Sequence, residues 1–333
     1  VSFVLMTEIL ELKGVSLTLS QPKIQTYTGR LIHKNYRSPE VLITRPDGRV
    51  EPIKIAKMGE DQFQAEINFS QKGLYSVEVN LRGPLGPLPA TNYIVAVQED
   101  YPIASADSPG LEKITDLKLA QQKMLVLVNE DRKALGKTEL TLDTALSQTA
   151  QAHCEDMVSN QFIGHNSPTV GTPQQQSALF KVTDLVAQNI SVSRNLNNAQ
   201  LELMSSPGHR QTILDPDHTH VGFGVATGND GFLYITQLFV HRELEIEPLP
   251  FSLPKGQTLE VKGRSRQDGA VAVYIEQNIQ GDYLDVKAGE AFVLPVKLNT
   301  AGKQRLRMGY APPALPGSNL NFTFYNIWDM DIL

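Results

Sequence analysis

The residues of this 333-residue chain best able to do chemistry are its seven histidines and its one cysteine, and their spacing tests what each could do. His153 and Cys154 are neighbours, an arrangement that invites thiol catalysis by an imidazole-activated sulfur. On a helix, adjacent side chains diverge by about 100° and do not face each other. His153 falls on the apolar stripe Leu146, Ala150, His153 and Met157, so it reads as a hydrogen-bonded core histidine, with Cys154 as a small buried filler. Asp215, Asp217, His218 and His220 form a second cluster. In an extended segment His218 and His220 would share a face and could ligate a metal, although a solvated loop leading into a strand is the simpler reading. Ser167 and Ser206 sit close to His165 and His209, but each precedes a proline in a turn and no Gly-x-Ser-x-Gly elbow is present, so serine hydrolysis is not expected. His165 and His209 are too far apart for a local metal motif, and only a fold could bring them together.

Such a fold has ample material. The length exceeds one ordinary domain and fits two or three, each able to bury a core. Hydrophobic residues at 41% and charged residues at 20% describe globular protein, not disorder or a fibre. A net charge of −6 gives no electrostatic reason to expect nucleic acid or an anionic membrane as partner. A single cysteine, Cys154, allows no intramolecular disulfide. With no run of about eighteen apolar residues, no transmembrane segment is expected. Residues 1–10 lack a basic start and are interrupted by Glu8, so they do not read as an intact signal peptide.

Residues 1–105 read as a β domain, with strand patterns at 15–19, 24–32, 41–44, 50–56, 63–69, 74–81 and 93–97, separated by turns such as Pro46-Asp47-Gly48 and Gln71-Lys72-Gly73. About seven strands at this spacing favour an immunoglobulin-like sandwich, and Tyr75 is either a tyrosine corner or an ordinary half-buried strand tyrosine. Residues 106–112 lie in a Pro- and Ser-containing linker. An α/β domain is expected over 113–243. It opens with a helix carrying Leu117, Ala120, Met124, Leu127, Val128 and Leu135 and stopping at Gly136. A second helix starts near Asp143, and a closing hairpin turns at Asn229-Asp230-Gly231. Residues 244–333 return to period-two patterning, with Gly256, Gly269, Gly281, Gly289 and Gly302 between runs, and read as another β-sandwich. The two flanking regions share a layout, each with a glycine-led strand, a Pro/Gly loop (83–89 and 312–317) and a further strand, as two distant copies of one module would.

The central segment carries Phe162-Ile163-Gly164-His165-Asn166-Ser167-Pro168, then Ser206-Pro207-Gly208-His209-Arg210, Val221-Gly222-Phe223-Gly224 and Tyr234-Ile235-Thr236-Gln237-Leu238-Phe239. In this order and spacing they resemble the bacterial SCP-like branch of the CAP superfamily, the cysteine-rich secretory, antigen 5 and pathogenesis-related group one proteins. Leu127-Val128-Asn129-Glu130-Asp131-Arg132 resembles the family's opening helix, and residues 150–157 its second. The resemblance covers roughly residues 114–241 and implies a multidomain protein with a central CAP-like α-β-α domain between two all-β sandwiches, secreted or attached to the cell envelope, although a cytoplasmic form stays open.

The resemblance also implies a cleft lined by two histidines and two acidic residues, in which the histidines hold a divalent metal. Carried over by position, the histidines are His165 and His209, the tentative ligands of zinc. The acidic half departs from the pattern. Where relatives have Gly-Glu-Asn-Ile, this chain has Ala187-Gln188-Asn189-Ile190, and Gln188 can hydrogen-bond an imidazole but cannot serve as a base. Leu203 replaces the usual Trp, and Glu202 is the nearest, poorly placed candidate for the second acid. Asn129, Arg132 and Arg210 read as groups tying loops to the core, and Gln237 as support behind the cleft. The expectation is a binding protein, leaning away from catalysis, that takes a small ligand, lipid, peptide or cell-surface protein partner through His165, Gln188 and His209. The alternative is a metal-assisted, protease-like hydrolase using His165 and His209, and a third reading is a structural surface protein with a vestigial cleft.

Overall fold

The computed structural model describes residues 3–102, 110–275, 278–279, 283–313 and 320–333. Most of the expected linker, together with Gly281 and the tip of the second Pro/Gly loop, lies outside the described residues. Glu112 is anchored: its carboxylate accepts from Leu196 N at 2.8 Å and pairs with Lys123 at 3.0 Å.

Ten strands occupy the described residues before the first helix, more than the sequence pattern indicates, because short pieces such as Thr18–Leu19 and Ile55–Lys57 are separate. They form two five-stranded sheets whose inward side chains, among them Leu12, Tyr27, Phe63 and Ile67 from one and Ile43, Tyr75, Val77 and Val95 from the other, make a single core. Alternation produces this, since each strand sends every second residue inward. Tyr75 is fully buried, and its hydroxyl donates to Gln71 O at 3.0 Å while accepting from Gln71 N at 2.9 Å, which is the corner bond of the first of its two readings. The stretch read as a Pro/Gly loop is instead a tight hairpin. Strand Gly73–Gly83 turns at once into Gly86–Val97, with Pro87 and Pro89 inside the second strand and a bulge after Pro89. Proline is tolerated at sheet edges and bulges, and here the strand's other neighbour pairs only at Ala96 and Val97, while Pro89 adjoins the bulge.

The central segment holds all five helices of the described residues: α1 (Leu117–Ala134), α2 (Thr144–Asn160), α3 (Pro173–Leu179), α4 (Leu196–Ser205) and α5 (Pro207–Leu214). Asp116 and Asp143 cap α1 and α2 by accepting from Leu119 N and Leu146 N. Four strands form one sheet in the order Thr141–Leu142, His220–Thr227, Leu233–Val240 and Val186–Ser193. Val221, Phe223, Val225, Ile235 and Phe239 pack with Ala120, Met124 and Val128 of α1 and with α4 on one face. On the other, Leu238 and Val240 meet Leu146 and Ala150 of α2. Gly222 and Gly224 let α2 lie directly on the sheet, since a Cβ at either would stand 2.2–2.3 Å from helix backbone.

Residues after 243 form a three-stranded sheet, Leu244–Ile246, Thr258–Ser265 and Ala291–Lys297, and a larger sheet built around Gly269–Ile275, Gly302–Ala311 and Thr323–Ile332. Their shared core includes Val261, Val273, Leu294, Leu306 and Trp328. Among the described residues no helix is long and apolar enough to cross a membrane.

Candidate functional site

The strand Val186–Ser193 is an edge of the central sheet, and its alternation sends neighbouring residues to opposite sides. Gln188 reaches the loop that follows α2, where His165 Nδ1–H donates to Gln188 Oε1 at 2.9 Å. With the amide oxygen as acceptor, His165 keeps its proton on Nδ1 and exposes a lone pair on Nε2. Gln176 of α3 steadies the same loop, donating to His165 O at 3.0 Å and to Gly171 O at 2.8 Å. Asn189 reaches α5 instead, donating to His209 O at 3.1 Å and to Gln237 Oε1 at 3.2 Å. Gln237 donates on to Gln200, which donates to Asp131. Gln237 therefore stands behind the cleft, one bond removed from the backbone of His209.

His165, Gln188 and His209 line one cleft of about 390 Å³, together with Asn166, Thr172, Pro173, Asn189 and Thr212. Burial pushes the His209 imidazole down to about 4, with neighbouring His165 adding to the shift. Burial also lowers His165, against the opposing effect of its bond to Gln188. Both rings are thus neutral near pH 7. A base held at about 4 is a weak proton acceptor at neutral pH, where effective general bases are tuned closer to the working pH.

The far wall of the cleft comes from the first β region: Glu78, Asn80 and Arg82 from one strand, and Pro87, Leu88 and Pro89 from the next. Glu78 is the carboxylate that sequence reasoning missed. It is 1% exposed; its Oε2 accepts from the Ser206 hydroxyl, and its Oε1 accepts from Gly208 N at 3.0 Å and Asn80 Nδ2 at 2.9 Å. Ser206 precedes α5 yet makes no capping bond of its own, because Glu78 takes that place. A negative group suits a helix N-terminus, and Pro207 in the first turn needs no partner for a missing N–H. No local pattern in the sequence links Glu78 to Ser206, since the pair joins a strand of the first β region to the start of a helix 128 residues later.

The other candidates occupy structural positions. His153 is buried, with Nε2 against Gly164 O at 3.0 Å. Cys154 is buried beside Thr236, and burial pushes its thiol up to about 12, far from a reactive thiolate. His218 lies against Thr212 O and stacks on Phe239, and His220 pairs with Thr219. The Ser167 hydroxyl accepts from Thr169 N and Val170 N in a turn. Glu202, exposed on α4, accepts from Ser191 and does not line the cleft. Asn129 holds Leu140 through both its backbone groups. Arg132, fully buried, donates to Thr138, Ile213 and Asp215 carbonyls. Arg210 donates to Met204 O and also crosses to Gly48 O in the first β region.

The zinc implied by the resemblance meets a thin donor set. Catalytic zinc sites use three protein ligands and an open position. The cleft offers two imidazoles and an amide oxygen already engaged with His165, while Glu78 is committed to Ser206 and Gly208. Among the described residues no group of three or more His, Cys, Asp or Glu is arranged to hold a metal ion. The residues present do not fit a three-ligand site.

Residues 125–239 match the family model of the cysteine-rich secretory protein family, CAP. The uncharacterized protein YkwD of Bacillus subtilis (strain 168) is 33% identical over 106 residues, covering 31% of this chain and 41% of that protein. The uncharacterized membrane protein YlbC of the same organism is 30% identical over 125 residues, covering 37% of this chain and 35% of that protein. The chain therefore spans less than half the length of either curated relative. Among solved structures, an outer surface protein from Borrelia burgdorferi is similar at 22% identity and a TM-score of 0.35, over 37% of this chain and 93% of that one.

Proposed function

Because residues 125–239 form a CAP domain, we propose that this protein acts outside the cytoplasm, secreted or attached to the cell envelope, and works by binding a ligand in its histidine-lined cleft. The two β regions would be sandwich modules that flank the CAP domain, the first of them closing the cleft. The observation that carries this reading is Gln188. It stands where the family resemblance implies a carboxylate, orients His165 through its oxygen, and keeps a buried Nε2 without a protein partner. A buried donor without an acceptor is costly, and an acceptor group on a ligand would satisfy it. Neutral imidazoles, amides, threonine hydroxyls and apolar Pro87, Leu88 and Pro89 line the rest; the carboxylate of Glu78 is engaged by Ser206, Gly208 and Asn80, and Arg82 is exposed at the rim. Such a lining favours an uncharged or anionic ligand rich in hydrogen-bonding groups, a peptide or a lipid headgroup, over a cation.

The test combines a metal probe with ligand probes. Calorimetric titration with zinc should give no stoichiometric site at micromolar concentration, and the protein should not turn over peptide substrates. In NMR spectra, a mixed tripeptide library or short-chain phospholipid micelles should shift the Gln188 side-chain amide and the two histidine rings in wild type, and the shift of the Gln188 amide should be lost in His165→Ala/His209→Ala. One zinc per chain that vanishes in the double variant, accompanied by turnover, would replace this reading with metal-assisted hydrolysis. No response to any probe would leave the cleft without a binding role.

A further inference from the structure

The segments that carry the two cleft histidines are both held by a single hairpin from outside the CAP domain. On one arm, Glu78 accepts from Ser206 and Gly208 at the start of α5, the helix that carries His209. Ser76 on the same arm donates to Ser205 O at 2.9 Å. At the hairpin tip, Leu85 O accepts from Asn166 N at 2.9 Å, next to His165. The fit there is close: a Cβ at Gly164 would stand 2.5 Å from Leu85 Cβ, and one at Gly86 would stand 3.1 Å from His165 Cβ. Leu85 also packs on the cluster of Cys154, Met157 and Phe162 under the His165 loop.

We propose that the cleft is a site built jointly by the CAP domain and the 73–97 hairpin, in which the hairpin sets the placement of His165 and His209 and Glu78 is the positioning residue. The inference rests on the reading of this cleft as the ligand site and adds a second region to it. Its physical basis is mutual dependence. A buried carboxylate is tolerated only while charge-assisted donors satisfy it, and here, beside Asn80 of the hairpin itself, the donors from the CAP domain are the Ser206 hydroxyl and the α5 N-terminal amide. Those two donors in turn have Glu78 as their acceptor, so the hairpin and α5 hold their positions together. Glu78 touches neither imidazole in its hydrogen bonding and acts on His209 through α5.

The test is residue-resolved carbethoxylation of histidines by diethyl pyrocarbonate, read by mass spectrometry on the full chain as wild type, Glu78→Ala and Glu78→Gln. In wild type, exposed His33 should react fast, and His165 and His209 slowly. Glu78→Ala should raise the rates at His165 and His209 at least about tenfold while His218 and His220 keep their wild-type rates. Glu78→Gln retains one oxygen acceptor and should fall between the two. Unchanged rates at His165 and His209 in Glu78→Ala would overturn the inference, as would a parallel rise at His218 and His220, which marks general loosening. The labelling needs no ligand, so it separates failure of this inference from failure of the binding reading.

Discussion

The CAP domain meets the β region before it through a carboxylate inserted at a helix end, and the β region after it through bonds from the strand Thr323–Ile332 to residues 183–185, next to an arginine set between two carboxylates. On the second side Arg242 pairs with Asp143 and Asp184, each at 2.7 Å, while Asn326 donates to Thr183 at 3.0 Å and Leu185 N donates to Tyr325 O at 2.6 Å. Burial raises Asp184 despite its arginine, whereas Asp143 ends lowered and Arg242 is raised by having two carboxylates. The pair with Asp184 thus costs desolvation that Arg242 offsets only in part, as expected of a buried ion pair. None of these residues lines the cleft, whereas Glu78 does. The difference teaches that one junction serves attachment and the other is also a wall of the site.

The largest expected effect tests the attachment side. Arg242→Ala leaves Asp143 and Asp184 without their counter-charge and should destabilise by about 3–5 kcal/mol in urea unfolding. Labelling of His220 should rise, while His165 and His209 stay slow. That pattern is the converse of the one expected for Glu78→Ala, and equal exposure of both junctions in both variants would dissolve the contrast.

Acid should weaken the same side next. His220, 7% exposed, is held down to about 4 by burial first and then by Arg242 and Arg266, against the opposing charge of Asp143. Its folded pKa lies below the ordinary value near 6.5, so its stabilising contribution is complete above that pH and is lost as the pH falls through about 4. Over that interval the loss is roughly 3 kcal/mol, at about 1.4 kcal/mol per pH unit. Urea midpoints measured from pH 7 to 4 should fall, and His220→Gln should flatten the slope. An unchanged slope would mean that the ring is not held neutral in the folded protein.

The smallest effect lies within the first β region. Tyr75→Phe removes the hydroxyl bonded to Gln71 and should cost about 1 kcal/mol in unfolding, without changing histidine labelling. A change at His165 would show that the core beneath the hairpin, not its polar contacts alone, tunes the cleft.

Local signals were legible where their partners are near in sequence. Asp143 starts α2 and Gly136 follows α1, with its φ of 67° in the left-handed region. The Asn229-Asp230-Gly231 turn joins His220–Thr227 to Leu233–Val240. Asn129 and Arg132 are backbone-binding groups because a buried polar side chain on an amphipathic helix must find partners in adjoining loops. The hairpin at residues 83–89 was harder to read, because Pro and Gly signal a break while giving no sign that pairing continues through Pro87 and Pro89.

What the sequence determined alone is the alternation and capping that make each sheet and helix, and the central family motifs. These follow from backbone periodicity and from residue types that act on their near neighbours. Only the tertiary structure decided that His165 and His209 share a cleft and that Glu78, Leu85 and Arg82 border it. The physical reason is that such contacts depend on how whole sheets and helices dock, and no residue spacing along the chain encodes that distance.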